Sequence, residues 1–165
     1  MDASSSHRIG RLLMMLALAL IAARAGATEP LQDSIEIGGE AAVFLAPKCC
    51  WIPMPRNERL RQARGAERCS AIGGPVGAFR LEGDAVLLVG FRRCSGDVPL
   101  AEIYPDLPDP APADWLDGVF SALLMQPCRG GGADAEPKRI QLTLEAGRVT
   151  RREEIPAAPA RCPPW

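Results

Sequence analysis

Six cysteines offer the widest choice of chemistry in this chain, because thiols form disulfides, bind metals or act as nucleophiles. None of them belongs to a C-x-x-C pair, the spacing typical of thioredoxin-like redox sites, haem attachment and zinc ribbons. An even set of widely spaced cysteines predicts three structural disulfides instead. The disulfide candidates are Cys49, Cys50, Cys69, Cys94, Cys128 and Cys162.

The neighbouring Cys49 and Cys50 are the least usual pair in this set. In an extended segment, consecutive side chains point to opposite faces, so we predict that each bridges to a separate partner. A bridge from either to Cys69 would close the arginine-rich segment between them, and a bridge between the last two cysteines would hold the C-terminal tail. The alternative is a redox-active or metal-binding pair assisted by Met54. Supporting ligands are missing from the sequence around it, and we predict no metal and no cofactor.

Histidine is nearly absent, and this limits catalysis. The chain has a single histidine, His7, which lies in the predicted signal peptide described below. A mature chain without imidazole excludes Ser-His-Asp and Cys-His catalysis and histidine-containing zinc sites. Gly130–Gly132 is not followed by the Gly-Lys-Ser/Thr of a phosphate loop. We therefore predict no catalytic residue and a protein that is not an enzyme.

An arginine-rich segment, residues 56–68, is the strongest local charge excess. Guanidinium groups bind carboxylates at two points, so the segment predicts a surface for a protein partner with an acidic surface. Trp51 lies just before it among prolines and is a possible interface anchor. The alternative is a solvated helix face or a disulfide-tethered loop. The candidate binding residues are Trp51, Arg56, Arg59, Arg61, Arg64 and Arg68.

An acidic segment formed by Asp106, Asp109, Asp114 and Asp117 is its counterpart. Two such carboxylates in a cleft are sufficient to cleave a glycosidic bond, and an inhibitory or docking loop is a second functional reading. The D-x-D-x-D-G pattern of a calcium loop is missing. Turn formation and helix capping account for the same aspartates.

The N-terminal residues 1–27 resemble a cleavable signal peptide. The apolar run Leu12–Ala23 has 12 residues, fewer than the roughly 20 of a membrane span, and small residues follow it in an A-x-A pattern. We predict cleavage before Thr28 and one exported domain, residues 28–165, that ends in a proline-rich tail, residues 156–165. The expected location is periplasmic or extracellular in a bacterium, without stable membrane insertion. The mature net charge, near −3, argues against nucleic-acid binding.

These groups need a scaffold, and the hydrophobic pattern predicts an α+β fold. After a mobile N-terminus, residues 28–33, we expect an antiparallel sheet of hairpins with one principal amphipathic helix packed on a face, stabilised by disulfides. That helix is predicted over Ala113–Met125, where apolar residues recur at i, i+4 and i+8. A short helix is predicted over Glu58–Ala66. The predicted strands are Ser34–Ile37, Ala41–Ala46, Val76–Leu81, Ala85–Arg93, Leu100–Tyr104, Lys138–Glu145 and Arg148–Ile155.

The function that these features predict is that of an exported, non-enzymatic binding protein, for example an inhibitor or immunity-type partner of an envelope protein. Separate acidic and basic segments on a small disulfide-bonded scaffold favour it. The alternatives are a carboxylate-based hydrolase acting on cell-wall sugar or ester bonds, and an envelope structural protein.

Overall fold

The computed structural model describes residues 31–48, 51–66, 74–124 and 138–156, and strands dominate them. Within these residues only two short helices occur, α1 (Glu58–Ala66) and α2 (Leu100–Ile103). Neither is long and apolar enough to cross a membrane. The strands of the described residues are β1 (Ser34–Ile37), β2 (Glu40–Leu45), β3 (Val76–Glu82), β4 (Ala85–Arg93), β5 (Gly96–Pro99), β6 (Ala111–Pro112), β7 (Gly118–Leu124), β8 (Lys138–Glu145) and β9 (Arg148–Pro156).

The strand pairings follow a ring of seven strands. From β3 the order runs through β1, β2, β7, β8 and β9 to β4, which pairs back with β3. All of these pairs are antiparallel except β1 with β3. One edge of β4 meets β9, β6 and β5 in turn. A sheet that returns on itself leaves few open edges and encloses one core.

The ring closes where the β3–β4 turn meets the β8–β9 turn. There Val86 N donates to Gly147 O at 2.9 Å, and Val149 N donates to Asp84 O at 2.7 Å. Gly147 has φ +71°, and a Cβ on it would overlap the carbonyl group of Ala113. Only glycine accepts both this backbone conformation and this close approach.

The core lies on the inner faces of these strands. In β8, Ile140, Leu142 and Leu144 are buried, which confirms the alternation expected from the sequence. Phe44 contacts both Phe79 and Phe120, with ring centroids 5.3 and 5.5 Å apart. Aromatic pairs at this separation join strands that lie far apart in the sequence.

The predicted α+β fold is wrong: most of the described structure is sheet, and residues 113–124 do not form the principal helix expected over Ala113–Met125. Gly118–Leu124 is strand β7, which pairs with β2 and β8. Phe120 and Ala122 are buried, so a period of two describes this run as well as a helical period does. Short apolar runs permit both readings, and pairing with two strands decides between them.

The other local predictions are mostly confirmed. Helix α1 has the predicted bounds, and the hairpin of β3 and β4 turns at Gly83 as expected. Strands β1, β8 and β9 match their predicted segments closely. The strand predicted over Leu100–Tyr104 is wrong, because this stretch begins with the single helical turn α2.

Candidate functional site

Asp33 is a buried carboxylate directly before β1, where the sequence predicted a mobile terminus. It is 2% exposed. Its Oδ2 accepts a hydrogen bond from Ile52 N at 2.8 Å, and its Oδ1 accepts one from Gly77 N at 2.5 Å. The side chain therefore joins three chain segments, and the prediction of mobility at this residue is wrong.

The groups around Asp33 shift the pKa of its carboxyl group in opposite directions. Burial raises the pKa of the Asp33 carboxyl group, because the charged form loses its hydration. The amides of Ile52 and Gly77 and the positive charge of Arg64 act in the opposite direction, and burial has the largest effect. The approach to Gly77 is close, since a Cβ there would overlap Met54.

Arg64, on helix α1, lies against Trp51. The central carbon of its guanidinium group is 4.5 Å from the centroid of the Trp51 ring, within the range of a cation–π contact. Its Nε and Nη2 atoms are buried, and neither has a hydrogen-bond partner among the described residues. Burial lowers the pKa of Arg64, opposed by the nearby Asp33 and Tyr104. The guanidinium group thus lies over an aromatic ring and has two donor atoms without an acceptor.

Tyr104 connects helix α2 to the segment that carries α1. Its hydroxyl donates a hydrogen bond to Pro55 O at 2.7 Å, and its ring stacks on Phe91 with centroids 5.9 Å apart. Burial raises the pKa of this phenol, and Arg64 opposes the shift. The hydroxyl is therefore engaged in a structural hydrogen bond.

Three further hydrogen bonds position α1 and the segment before it. The indole of Trp115 donates to Pro53 O at 2.8 Å. The side chain of Asn57 donates to Ile103 O at 3.0 Å and accepts from Leu60 N at 3.1 Å. Asn57 acts as a helix N-cap by this second bond. The start of α1 is therefore fixed at Asn57, and the segment before it is fixed at Pro53.

The structure separates the predicted binding arginines into different roles. Arg56 is exposed, and Arg59 donates to Glu102 O at 3.3 Å. Arg61 binds Glu58 at two points and lowers the pKa of that carboxyl group to about 2. Of the predicted binding arginines that the structure describes, only Arg64 makes a cation–π contact with Trp51.

One of the predicted binding arginines, Arg68, lies outside the described residues, and so do five of the six disulfide candidates. Cys94, in the turn between β4 and β5, is disulfide-bonded. The five others are Cys49, Cys50, Cys69, Cys128 and Cys162. The predicted pairings therefore stay predictions.

The acidic segment is at the surface. Asp106, Asp109, Asp114 and Asp117 are all exposed. Asp117 Oδ1 accepts a hydrogen bond from Ala146 N at 2.8 Å and so supports the β8–β9 turn. Among the described residues, no group of three or more histidine, cysteine, aspartate or glutamate side chains is placed to hold a metal ion.

Sequence reasoning missed Asp33 and the special position of Arg64. A charged residue directly before an alternating strand was the only available signal for Asp33, and it is equally typical of exposed termini. Comparison with known proteins finds no matching family model, no matching curated protein and no matching solved structure.

Proposed function

We propose that this chain is an exported, non-enzymatic binding protein that holds a protein partner with an acidic surface. The observation that carries the proposal is the contact between Arg64, on the docked helix α1, and Trp51, which precedes that helix. Arg56 and Arg61 are exposed on the same segment. Tryptophan and arginine are the side chains that most often anchor protein interfaces.

The docking of α1 supports this proposal. Asn57, Tyr104 and Trp115 fix the helix and the preceding segment to the rest of the fold. A surface that is already ordered loses less conformational entropy when a partner binds. The arginine-rich segment is therefore better suited to recognition than a free loop of the same charge.

The roles of the polar side chains also favour binding over catalysis. Asp33 accepts two backbone hydrogen bonds, Tyr104 donates one, and Asp117 accepts one. These groups stabilise the fold and are engaged before any substrate arrives. Export is supported by the signal-like N-terminus and by the disulfide-bonded Cys94, because disulfides persist in oxidising compartments.

The test is affinity capture with the exported form of the full chain, recovered from an expressing cell and incubated with envelope extract. We expect a specific partner to be retained and its yield to fall about tenfold or more when Arg59, Arg61 and Arg64 are replaced by alanine, since interface arginines contribute on this scale.

The matched control replaces three arginines on strands outside α1, Arg80, Arg151 and Arg152, by alanine, which removes the same charge. Capture should survive this change. Equal losses in both triple variants would mean a nonspecific charge effect, and full capture by the helix variant would refute the proposed surface. Circular dichroism checks that both variants are folded.

The carboxylate-based hydrolase and the envelope structural protein stay predictions from the sequence. No observation on the described residues favours either of them over binding.

A further inference from the structure

We propose that the Nε–Nη2 edge of Arg64, whose guanidinium group lies over the ring of Trp51, binds one carboxylate. In the partner this carboxylate is an aspartate or glutamate side chain. This inference rests on the proposed binding function and names the chemistry by which the partner is recognised.

The geometry of the guanidinium group carries the argument. Nε and Nη2 lie on the same side of the group and form a fork that matches the two oxygens of a carboxylate. This chain already uses that fork, because Arg61 binds the carboxylate of Glu58 through Nε and Nη2. Arg151 contacts Glu153 through the same two atoms. In Arg64 both atoms are buried without an acceptor among the described residues.

Unsatisfied donors on a charged group are costly. A buried N–H without an acceptor loses its hydration and gains nothing in return. A carboxylate placed on the Arg64 fork would satisfy both donors and neutralise the charge at once. Arg64 therefore gains from a ligand of this class.

The neighbouring Asp33 does not fill this role. Both of its oxygens accept hydrogen bonds from the backbone amides of Ile52 and Gly77, and Arg64 acts on it through space. Asp33 therefore makes no hydrogen bond to the Arg64 fork, and the two donors stay available for a second acid.

The surroundings favour a monovalent carboxylate on a protein over a phosphate. A single fork offers two donors, whereas phosphate sites usually gather several cationic or amide donors. Trp51 and Arg64 are both half-buried, so the site borders the surface. Because Nε and Nη2 of Arg64 are themselves buried, a carboxylate reaches them only after a side chain moves. Exposed Arg56 and Arg59 on the same segment attract an acidic partner toward it.

The experiment follows the Nε–H resonance of Arg64 by NMR in the exported full chain, with Arg64→Lys used to assign the signal. The probe is acetate, with chloride at matched ionic strength as the control. We expect acetate to give a saturable shift at Arg64 and at the indole of Trp51, and chloride to give none. An unsaturable shift, or the same response to chloride, would overturn the proposal.

Two further probes separate the possible ligands. A short peptide with one glutamate and blocked ends should bind at least as well as acetate, and inorganic phosphate should bind more weakly. Tighter binding of phosphate would overturn the assignment to carboxylates. Exclusion of the peptide, with acetate still bound, would overturn the assignment to a protein side chain.

Variants test whether Arg64 itself binds the carboxylate. Arg64→Lys should weaken acetate binding about tenfold or more, because it removes the two-point contact. Arg151→Lys is the matched control and should change the binding little, since the Arg151 fork already contacts Glu153. If Arg64→Lys fails to fold, the Arg64 signal is assigned in the wild type from its through-bond correlations to the backbone, and the titration against chloride decides.

The two proposals can fail separately. Partner capture that survives Arg64→Lys but is lost in the triple helix variant would refute this site and leave the binding function intact. Acetate binding at Arg64 without any partner capture would refute the proposed function and retain the carboxylate site.

Discussion

Two aspartate–arginine couples in this molecule are built in opposite ways. Asp84 and Arg148 lie on the surface, where Arg148 Nη1 contacts both carboxylate oxygens at 2.9 and 2.8 Å. In the second couple Asp33 is buried and Arg64 is half-buried. Asp33 is bonded to backbone amides, and Arg64 acts on it through space. The direct ion pair is exposed, whereas the indirect couple contains a buried aspartate.

The difference shows where charge stabilises this fold. An exposed ion pair is screened by water and contributes little, so the closure of the ring depends on the backbone bonds beside Asp84 and Arg148. A buried carboxylate that satisfies two amides cannot be removed without leaving both donors without acceptors. We therefore expect the interior couple to matter more to stability, although it is not an ion pair.

The largest expected effect follows from Asp33→Ala. The substitution leaves the amides of Ile52 and Gly77 buried without acceptors, which costs about 2–6 kcal/mol in unfolding free energy at roughly 1–3 kcal/mol for each donor. Urea denaturation of the exported chain measures the loss. Asp33→Asn keeps one acceptor and should fall between the wild type and the alanine variant. A loss below about 1 kcal/mol in Asp33→Ala would contradict the role assigned to this side chain.

The second largest effect is expected from Gly147→Ala, which changes the backbone contact beside the Asp84–Arg148 pair. Gly147→Ala brings a Cβ into the carbonyl group of Ala113 at a positive φ, and we expect a loss of about 3 kcal/mol. Gly83→Ala is the matched control, because its φ of +61° is similar but no atom lies within 4 Å of the added Cβ. That control should lose only about 1–2 kcal/mol. Equal losses in thermal unfolding would show that the close approach at Gly147 is relaxed.

The pH dependence of stability should have opposite signs in the two regions. Since burial raises the pKa of folded Asp33 above 3.8, the folded state holds more protons, and this contribution to stability is lost as pH rises through the raised pKa. The pKa of Asp84 is lowered from 3.8 by the hydrogen bond from Arg148. Its contribution is therefore present above pH 3.8 and lost as pH falls through the lowered pKa.

Urea denaturation between pH 3 and 7 checks these signs. Relative to Asp33→Asn, the wild type should lose stability as pH rises. Relative to Asp84→Asn, the wild type should gain stability as pH rises through the acid range. Parallel curves for the wild type and Asp33→Asn would refute the effect of burial on this carboxyl group.

The smallest expected effect is that of Asp84→Asn at neutral pH. The pair with Arg148 is exposed at both ends, so the melting temperature should change little, and the change should shrink further in high salt. Thermal unfolding at low and high salt measures it. A shift as large as that of Gly147→Ala would show that charge, rather than the backbone contact, closes the ring.

Secondary structure was predicted correctly from the sequence where residues close together in the chain determine it. Helix α1 and the β3–β4 hairpin were predicted because local propensity, a turn and alternation agree there. The β7 region was predicted wrongly as a helix, since Phe120 fits both a helical and a strand period. Its pairing with β2 and β8 involves residues too distant in the chain to leave a local pattern.

The candidate site divides in the same way. Composition alone determined the arginine-rich character of residues 56–68, the presence of Trp51 and the lack of histidine in residues 28–165. Only the tertiary structure decided that Arg64 contacts Trp51 and that Asp33 is buried between Ile52 and Gly77. The reason is physical: charge and residue type belong to the chain, whereas burial and the choice of hydrogen-bond partner arise when distant segments pack together.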